Sequence, residues 1–398
     1  MDALSGAGVA RLRDVMSGYV ERGDVPGLVW LVSRRGEVHT GWAGGMQADS
    51  SDPVARDFIV RVTSMTKPVT AVAALLLIEE CKLRLDEPVD RLLPELADRQ
   101  VLADVHGSLD DTVPAKRPIS VRDLLTFRMG LGGDFTGTIP QPVMEAMGKL
   151  ELGVGPPAPA GPPEPDEWMR RLGSLPLEYQ PGERWLYHTG ADVLGVLIAR
   201  ASGQPFETFL AERIFEPLGM VDTGFWVPAS KMDRFGPCFW KDPETGERAV
   251  YDPPDGQWSK PPAFPGGGAG LVSTVDDWLA FSEMLLAGGT YRGTRLLSRP
   301  TVEAMTTNYL TPEQLTTSSP DTSGAVGWGF GVGTQLRRRG PTLSPGSYWW
   351  DGGMGSTWSN DPAEDLIGIM LANQAWESPI PPPVFQDFWT CAYGAIND

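Results

Sequence analysis

Ser64 and Lys67 stand three residues apart in Arg61–Thr70, "RVTSMTKPVT", at the mouth of the apolar run "AVAALLLIEE", and form the only S-x-x-K in the chain. If the segment beginning at Ser64 is helical, the serine Oγ and backbone N–H sit at the positive end of the helix dipole, where an oxyanion is stabilised. Lys67 then lies one turn on and on the same face, within reach of Oγ. A lysine buried there loses ammonium stability, and its neutral amine can accept the serine proton. Pro68 is tolerated in a first turn, and the residues after it bury the helix. The same spacing also fits an ordinary N-cap serine with a solvated lysine, so the pair alone leaves both readings open.

Other hydrolytic chemistries find less support. No serine sits in G-x-S-x-G, so a nucleophile elbow is missing. The three histidines are His39 in a strand-like run, His106 in a polar loop and His188 after Tyr187, so a Ser-His-Asp triad has no local motif. There is no H-E-x-x-H, Walker loop or dinucleotide fingerprint, and no metal or other cofactor is expected. A formal net charge of −18 argues against nucleic acid and anionic membrane as partners. Cys81, Cys238 and Cys391 follow no short-spacing motif and read as buried free thiols of a reducing compartment. The N-terminal "MDALSGAGVARLRDVMSGYVERGD" reads as an amphipathic helix rather than a signal peptide, which makes the expected location cytoplasmic.

The elements that must position these groups follow from periodicity. "GLVWLVSRRGEVHTGWAG" reads as a β-hairpin turning at Arg-Arg-Gly. A buried helix runs from Ser64 to about Leu83, and "SVRDLLTFRMGL" is a second, Ser-capped helix. Residues 153–166 form a Pro/Gly-rich irregular loop, and a helix follows at about Ala191–Ser202. From Arg234 to Pro265 no period is visible, so loops are expected. "STVDDWLAFSEMLLAGG" is a capped helix. The last third is a meander of short strands closed by an amphipathic helix over about Pro382–Ile396. Strands at both ends and helices between them predict an α/β domain from residues 1–80 and 265–398, with a mainly helical domain, 81–264, inserted.

At "TSMTKPV" the sequence resembles the penicillin-recognising serine hydrolases, a group that holds class C β-lactamases, D,D-peptidases and family VIII carboxylesterases. "PGERWLYHTGADVLGVLIARASGQPF" resembles the family's tyrosine region, and "GSYWWDGGMGSTWSNDP" its cleft-lining strand. The resemblance spans nearly the whole chain and implies the β-lactamase/transpeptidase-like fold, an antiparallel sheet flanked by helices. It implies Ser64 as nucleophile, Lys67 as its proton acceptor and Tyr187 as a relay between them, its phenol made more acidic by the neighbouring ammonium. The backbone N–H groups of Ser64 and Gly353 would form the oxyanion hole. Trp350, Asp351 and Gly352 fall on the family's K-T-G or W-x-G position, and they, with His188 and Thr189, are the expected substrate contacts. The family usually has Asn where Thr189 stands, so an amide contact to an acyl-amide substrate is lost. No histidine is needed for the chemistry.

Trp350 and Asp351 replace the lysine and threonine with which β-lactamases hold a carboxylate. Were Asp351 to face the cleft, a substrate carboxylate about 6 Å away would meet roughly 3 kcal/mol of repulsion at an effective dielectric near 20. The expected activity is therefore hydrolysis of a small-molecule carboxylic ester through an acyl-Ser64 intermediate. The alternatives are amide hydrolysis (β-lactamase, D,D-peptidase or D-aminopeptidase) and acyl transfer to a small alcohol, with a non-catalytic acylated sensor the remotest.

Overall fold

The computed structural model describes residues 2–47, 52–136, 141–242, 244–378 and 380–398. Helix α1 (Gly6–Glu21) is capped by the Ser5 side chain, which accepts from Gly8 N–H, and it buries Val9, Leu12, Met16 and Tyr19 at helical spacing. Strands β1 (Gly27–Arg34) and β2 (Glu37–Gly44) form the expected hairpin, paired from Gly27–Gly44 to Arg34–Glu37. Helix α2 (Thr66–Glu79) is buried along nearly its whole length. It stops short of Leu83 because Cys81 takes a left-handed conformation (φ 58°), which ends the helical ladder. That turn also exposes Cys81, contrary to expectation, while Cys238 and Cys391 are buried; all three thiols are free.

The middle of the chain carries α3 (Val121–Leu125), closed by a capping box between Ser120 and Asp123, and α4 (Thr189–Ser202). The stretch read as loops contains a hairpin of β3 (Cys238–Lys241) and β4 (Arg248–Asp252). Its register slips between Cys238 and Phe239, which breaks the two-residue alternation by which a strand is recognised. After α5 (Val275–Leu286) come β5 (Val326–Trp328), β6 (Gly333–Gln335), β7 (Tyr348–Gly352), β8 (Ser356–Asp361) and β9 (Leu366–Ala372), then the closing helix α6 (Pro383–Tyr393).

The main sheet has the order β5-β6-β7-β8-β9-β1-β2, antiparallel throughout, so its strands come from both ends of the chain. β1 is buried along all its residues because both faces are covered. Leu28, Trp30 and Val32 face α1 and α6, with Met370 of β9. Val29 and Leu31 face the other way, into the large core that also takes in α2, α4 and α5. This alternation decides which β7 side chains reach the cleft. Among the described residues no helix is long and apolar enough to cross a membrane.

Candidate active site

Ser64 lies in a tight turn, Thr63–Met65, that feeds directly into α2, so it sits just outside the helix rather than opening it. Thr63 before it has φ 42°, an uncommon conformation for a β-branched residue, and the turn delivers Ser64 to the wall of a cavity. β7 abuts this turn closely. A Cβ on Gly352 would fall 2.3 Å from Val62 O, so only glycine allows the strand end to approach. Ser356 Oγ completes the joint by donating to Val62 O at 3.0 Å.

Lys67 is buried in the first turn of α2, its Nζ 3.0 Å from Ser64 Oγ, 2.6 Å from Gly268 O and 3.2 Å from His188 Nδ1. Burial pushes its pKa down to about 7, against the opposing influence of the Asp192 carboxylate. The solvated-lysine alternative is thereby removed.

Tyr187 precedes α4 and is held extended by paired backbone bonds to Gly133, 2.9 and 2.7 Å. Its hydroxyl accepts from Trp350 Nε1 at 2.7 Å. The expectation of a lowered phenol pKa is reversed. Burial raises it, and hydrogen bonds to Ser64 and Trp350 offset only part of that. Lys67 Nζ lies over the face of the ring, 4.3 Å from its centroid, and not beside the hydroxyl. Tyr187 is therefore a neutral donor at ordinary pH.

Trp350 pairs with Trp358 of β8 and stands edge-on to Trp328, their ring centroids 4.6 Å apart, on the cleft side. Asp351, one residue on, pairs with Thr357. Its carboxyl accepts from Thr357 Oγ1 at 2.5 Å, and that oxygen accepts in turn from Trp389 Nε1 of α6 at 3.2 Å. The carboxyl is thus turned toward α6, away from Ser64. This corrects the charge argument above, and the cause is the two-residue alternation of a strand with Trp350 facing inward. Burial raises the Asp351 pKa to about 7, the Thr357 bond working against the rise.

Gly352 O accepts from Gly355 N–H at 3.0 Å and Gly353 O accepts from Trp376 N–H at 2.8 Å, which fixes both peptides beside the cavity. A Cβ on Gly353 would meet open space. Ser64, Tyr187, His188, Thr189, Trp350, Asp351 and Gly353 all border one cavity of about 860 Å³. Its walls are largely aromatic and apolar, with Phe135, Met147, Trp240, Tyr251 and Trp376 among them. The chain around Gly153–Pro157 lines it too, fastened where Tyr251 Oη donates to Pro157 O at 2.9 Å. The β3–β4 hairpin and this Pro-rich stretch show no period and were not legible as walls. Asp192 was also missed, although it sits four residues after His188 at helical spacing, a visible signal.

A sheet built from both chain ends, with a serine-lysine pair between it and the helices, defines a serine hydrolase of the β-lactamase fold. The chain belongs to the Beta-lactamase family, whose family model matches residues 12–379. It is 37% identical to Protein Rv1367c of Mycobacterium tuberculosis, over 91% of this chain and 88% of that one. It is 30% identical to Esterase EstB of Burkholderia gladioli, over 95% and 93%. Among solved structures, EstCE1, a hydrolase with promiscuous acyltransferase activity, superposes with a TM-score of 0.78 at 24% identity, over 98% and 99%.

Proposed function

We propose that this hydrolase is a carboxylesterase acting through an acyl-Ser64 intermediate on neutral esters with a bulky apolar group. Neutral Lys67 takes the proton of Ser64 Oγ as that oxygen attacks the ester carbonyl carbon. The Ser64 and Gly353 N–H groups would hold the tetrahedral oxyanion. As the C–O bond breaks, the leaving alkoxide takes from the Lys67 ammonium the proton that came from Ser64, while the neutral Tyr187 hydroxyl hydrogen-bonds the departing oxygen. Water, activated in the same way, then releases the acid.

One observation carries the substrate reading. The indole N–H of Trp350, the residue that falls on the K-T-G position by resemblance, donates to the Tyr187 phenol oxygen. Arg339 borders the cavity, and it is ion-paired with Asp321. A substrate carboxylate therefore meets an indole in place of a lysine, while an apolar ester gains aromatic contact. The relationship to EstB supports the same reading. The test is a panel of p-nitrophenyl esters, D-amino-acid amides and a chromogenic cephalosporin, assayed with wild type and Ser64→Ala. Ester turnover that Ser64→Ala lowers on the order of 10⁶-fold in kcat is the expected result. Efficient turnover of the cephalosporin, or full ester activity in Ser64→Ala, overturns it.

A further inference from the structure

Four groups close a hydrogen-bonded circuit behind Ser64. Lys67 Nζ lies 3.2 Å from His188 Nδ1, His188 Nε2 lies 3.0 Å from Asp192 Oδ2, Asp192 Oδ1 accepts from Gly268 N–H at 2.8 Å, and Gly268 O accepts from Lys67 at 2.6 Å. The circuit is built tightly. His188 has φ 82° and ψ −65°, rarely adopted by a side-chain-bearing residue, and a Cβ on Gly268 would fall 2.8 Å from the His188 ring.

Proton counting then gives each atom a role. A carbonyl and a carboxylate only accept, and a neutral imidazole has one N–H and one bare nitrogen. Asp192 facing Nε2 places the imidazole proton there and leaves Nδ1 bare. A neutral lysine amine has two N–H bonds and one lone pair. Gly268 O and His188 Nδ1 take the two N–H bonds, and the remaining neighbour is Ser64 Oγ at 3.0 Å. The geometry points to His188 and Asp192 as positioning residues, Asp192 fixing the imidazole tautomer and His188 thereby aiming the Lys67 lone pair at the Ser64 hydroxyl. The opposite tautomer would put an N–H against the amine and draw that lone pair away from Ser64. Burial works against ionisation of Asp192, yet His188, the Gly268 N–H and Lys67 together hold its pKa below the usual value.

This inference rests on the acyl-Ser64 reading, and its test separates the two. The groups facing Lys67 are Tyr187 and His188 from the loop before α4 and Asp192 from α4, with Asp351 of β7 acting on Tyr187 from beyond it. Hydrolysis of p-nitrophenyl butyrate is followed from pH 5.5 to 9.5 in wild type, His188→Ala, His188→Asn, Asp192→Asn and the His188→Asn/Asp192→Asn double variant. Labelling of Ser64 by a fluorophosphonate is read in parallel by mass spectrometry.

Asp192→Asn should lower kcat about 10²- to 10³-fold with KM changed less than about threefold. That is less than the roughly 10⁴-fold that losing the carboxylate behind a catalytic histidine costs, because His188 acts on Lys67 and not on the nucleophile itself. It should also move the activity rise to lower pH, because a charge favouring the ammonium is gone. In His188→Asn the amide oxygen can accept where Nδ1 did, so this variant should keep at least about tenfold more activity than His188→Ala. An amide has no tautomer to fix, so adding Asp192→Asn to it should cost less than about threefold. Additive losses, an unmoved pH midpoint, or His188→Asn no better than His188→Ala overturns the tautomer role. Absence of label on wild-type Ser64 overturns the acyl-enzyme reading itself.

Discussion

Two buried cations flank Ser64 three residues away on either side, and the chain treats them differently. Arg61 donates through Nε and Nη2 to Asp252 Oδ2 at 2.8 and 2.6 Å and through Nη1 to Gly236 O at 2.9 Å. Its guanidinium also lies 4.0 Å from the centroid of the Phe235 ring. Asp252 is completed by Gln257 N–H at 2.8 Å, so this ion pair is buried with its polar groups answered. Lys67 touches a carbonyl, an imidazole and a hydroxyl, and its carboxylate, Asp192, stands one hydrogen-bonded ring away. A guanidinium stays protonated through its burial, whereas an ammonium held at this distance from its counter-charge gives up its proton near pH 7. The one cation is held for structure and the other is left free to change state.

The sharpest way to break this comparison is to replace Lys67. Lys67→Met should lower kcat/KM for esters by about 10²- to 10⁴-fold, the range for losing a general base, without lowering the melting temperature. Lys67→Arg should be as inactive, since its charge persists. An active Lys67→Arg would show that deprotonation is not what the site needs.

Arg61→Met should do the reverse. It leaves Asp252 buried without its partner, which costs on the order of 3–5 kcal/mol of stability. Activity per folded molecule should stay within a few-fold of wild type when measured well below the lowered melting temperature. Loss of turnover in a variant that melts normally would place Arg61 in the chemistry.

The third effect is a pH dependence. Lys67 titrates near 7 in the folded chain and at 10.5 as an ordinary lysine. Below pH 7 both states hold the proton and the folded chain bears the full cost of a buried ammonium. Between 7 and 10.5 the unfolded chain binds a proton that the folded chain does not, so this group's contribution to stability rises with pH. Lys67→Met should therefore gain most over wild type at pH 6, by a few kcal/mol at the order-of-magnitude level, and little at pH 10. Ester turnover in wild type should rise through about pH 7 over the same titration. A stability difference that grows with pH would contradict the assignment.

What the sequence revealed and what it hid divide along physical lines. The convergence of Ser64, Lys67 and Tyr187 was legible because each sits in a local motif, and a sheet drawn from both chain ends was foreshadowed by the β-type runs there, though its seven-stranded order was not. The sense of the Tyr187 shift was not legible, because burial outweighs a nearby charge and burial is set by distant residues such as Trp350 and Phe135. Nor was the role of Gly268, whose contribution is a backbone carbonyl that any residue type carries. The β3–β4 hairpin was hidden by its bulge. For Asp351 the register relative to the cleft depends on strand pairing, and a shift of one residue reverses every side chain.

That orientation sets the smallest prediction. With its carboxyl bonded to Thr357 on the α6 side, Asp351 stands across the strand from the reacting centre, roughly 10 Å from a substrate carboxylate on the spacing typical of sheet faces. At that distance and the same effective dielectric near 20 the repulsion is about 1.7 kcal/mol, a factor of roughly 15. Asp351→Thr should therefore change kcat/KM for a chromogenic cephalosporin by no more than about fifteenfold at pH 8, and by less at pH 6. The sign of that pH trend follows from a pKa raised to about 7, which leaves the group mostly neutral below it. The same raised pKa means that Asp351 supports folding below pH 4 and loses that support as pH rises through 7, so the stability gained by Asp351→Asn should grow between about pH 4 and 7 and be largest above 7. By contrast Trp350→Lys, which puts a cation beside Tyr187, should raise cephalosporin turnover more than any change at Asp351. A large gain from Asp351→Thr alone, near the hundredfold expected of a carboxylate facing the cleft at about 6 Å, would mean that the side chain swings into the cavity during turnover.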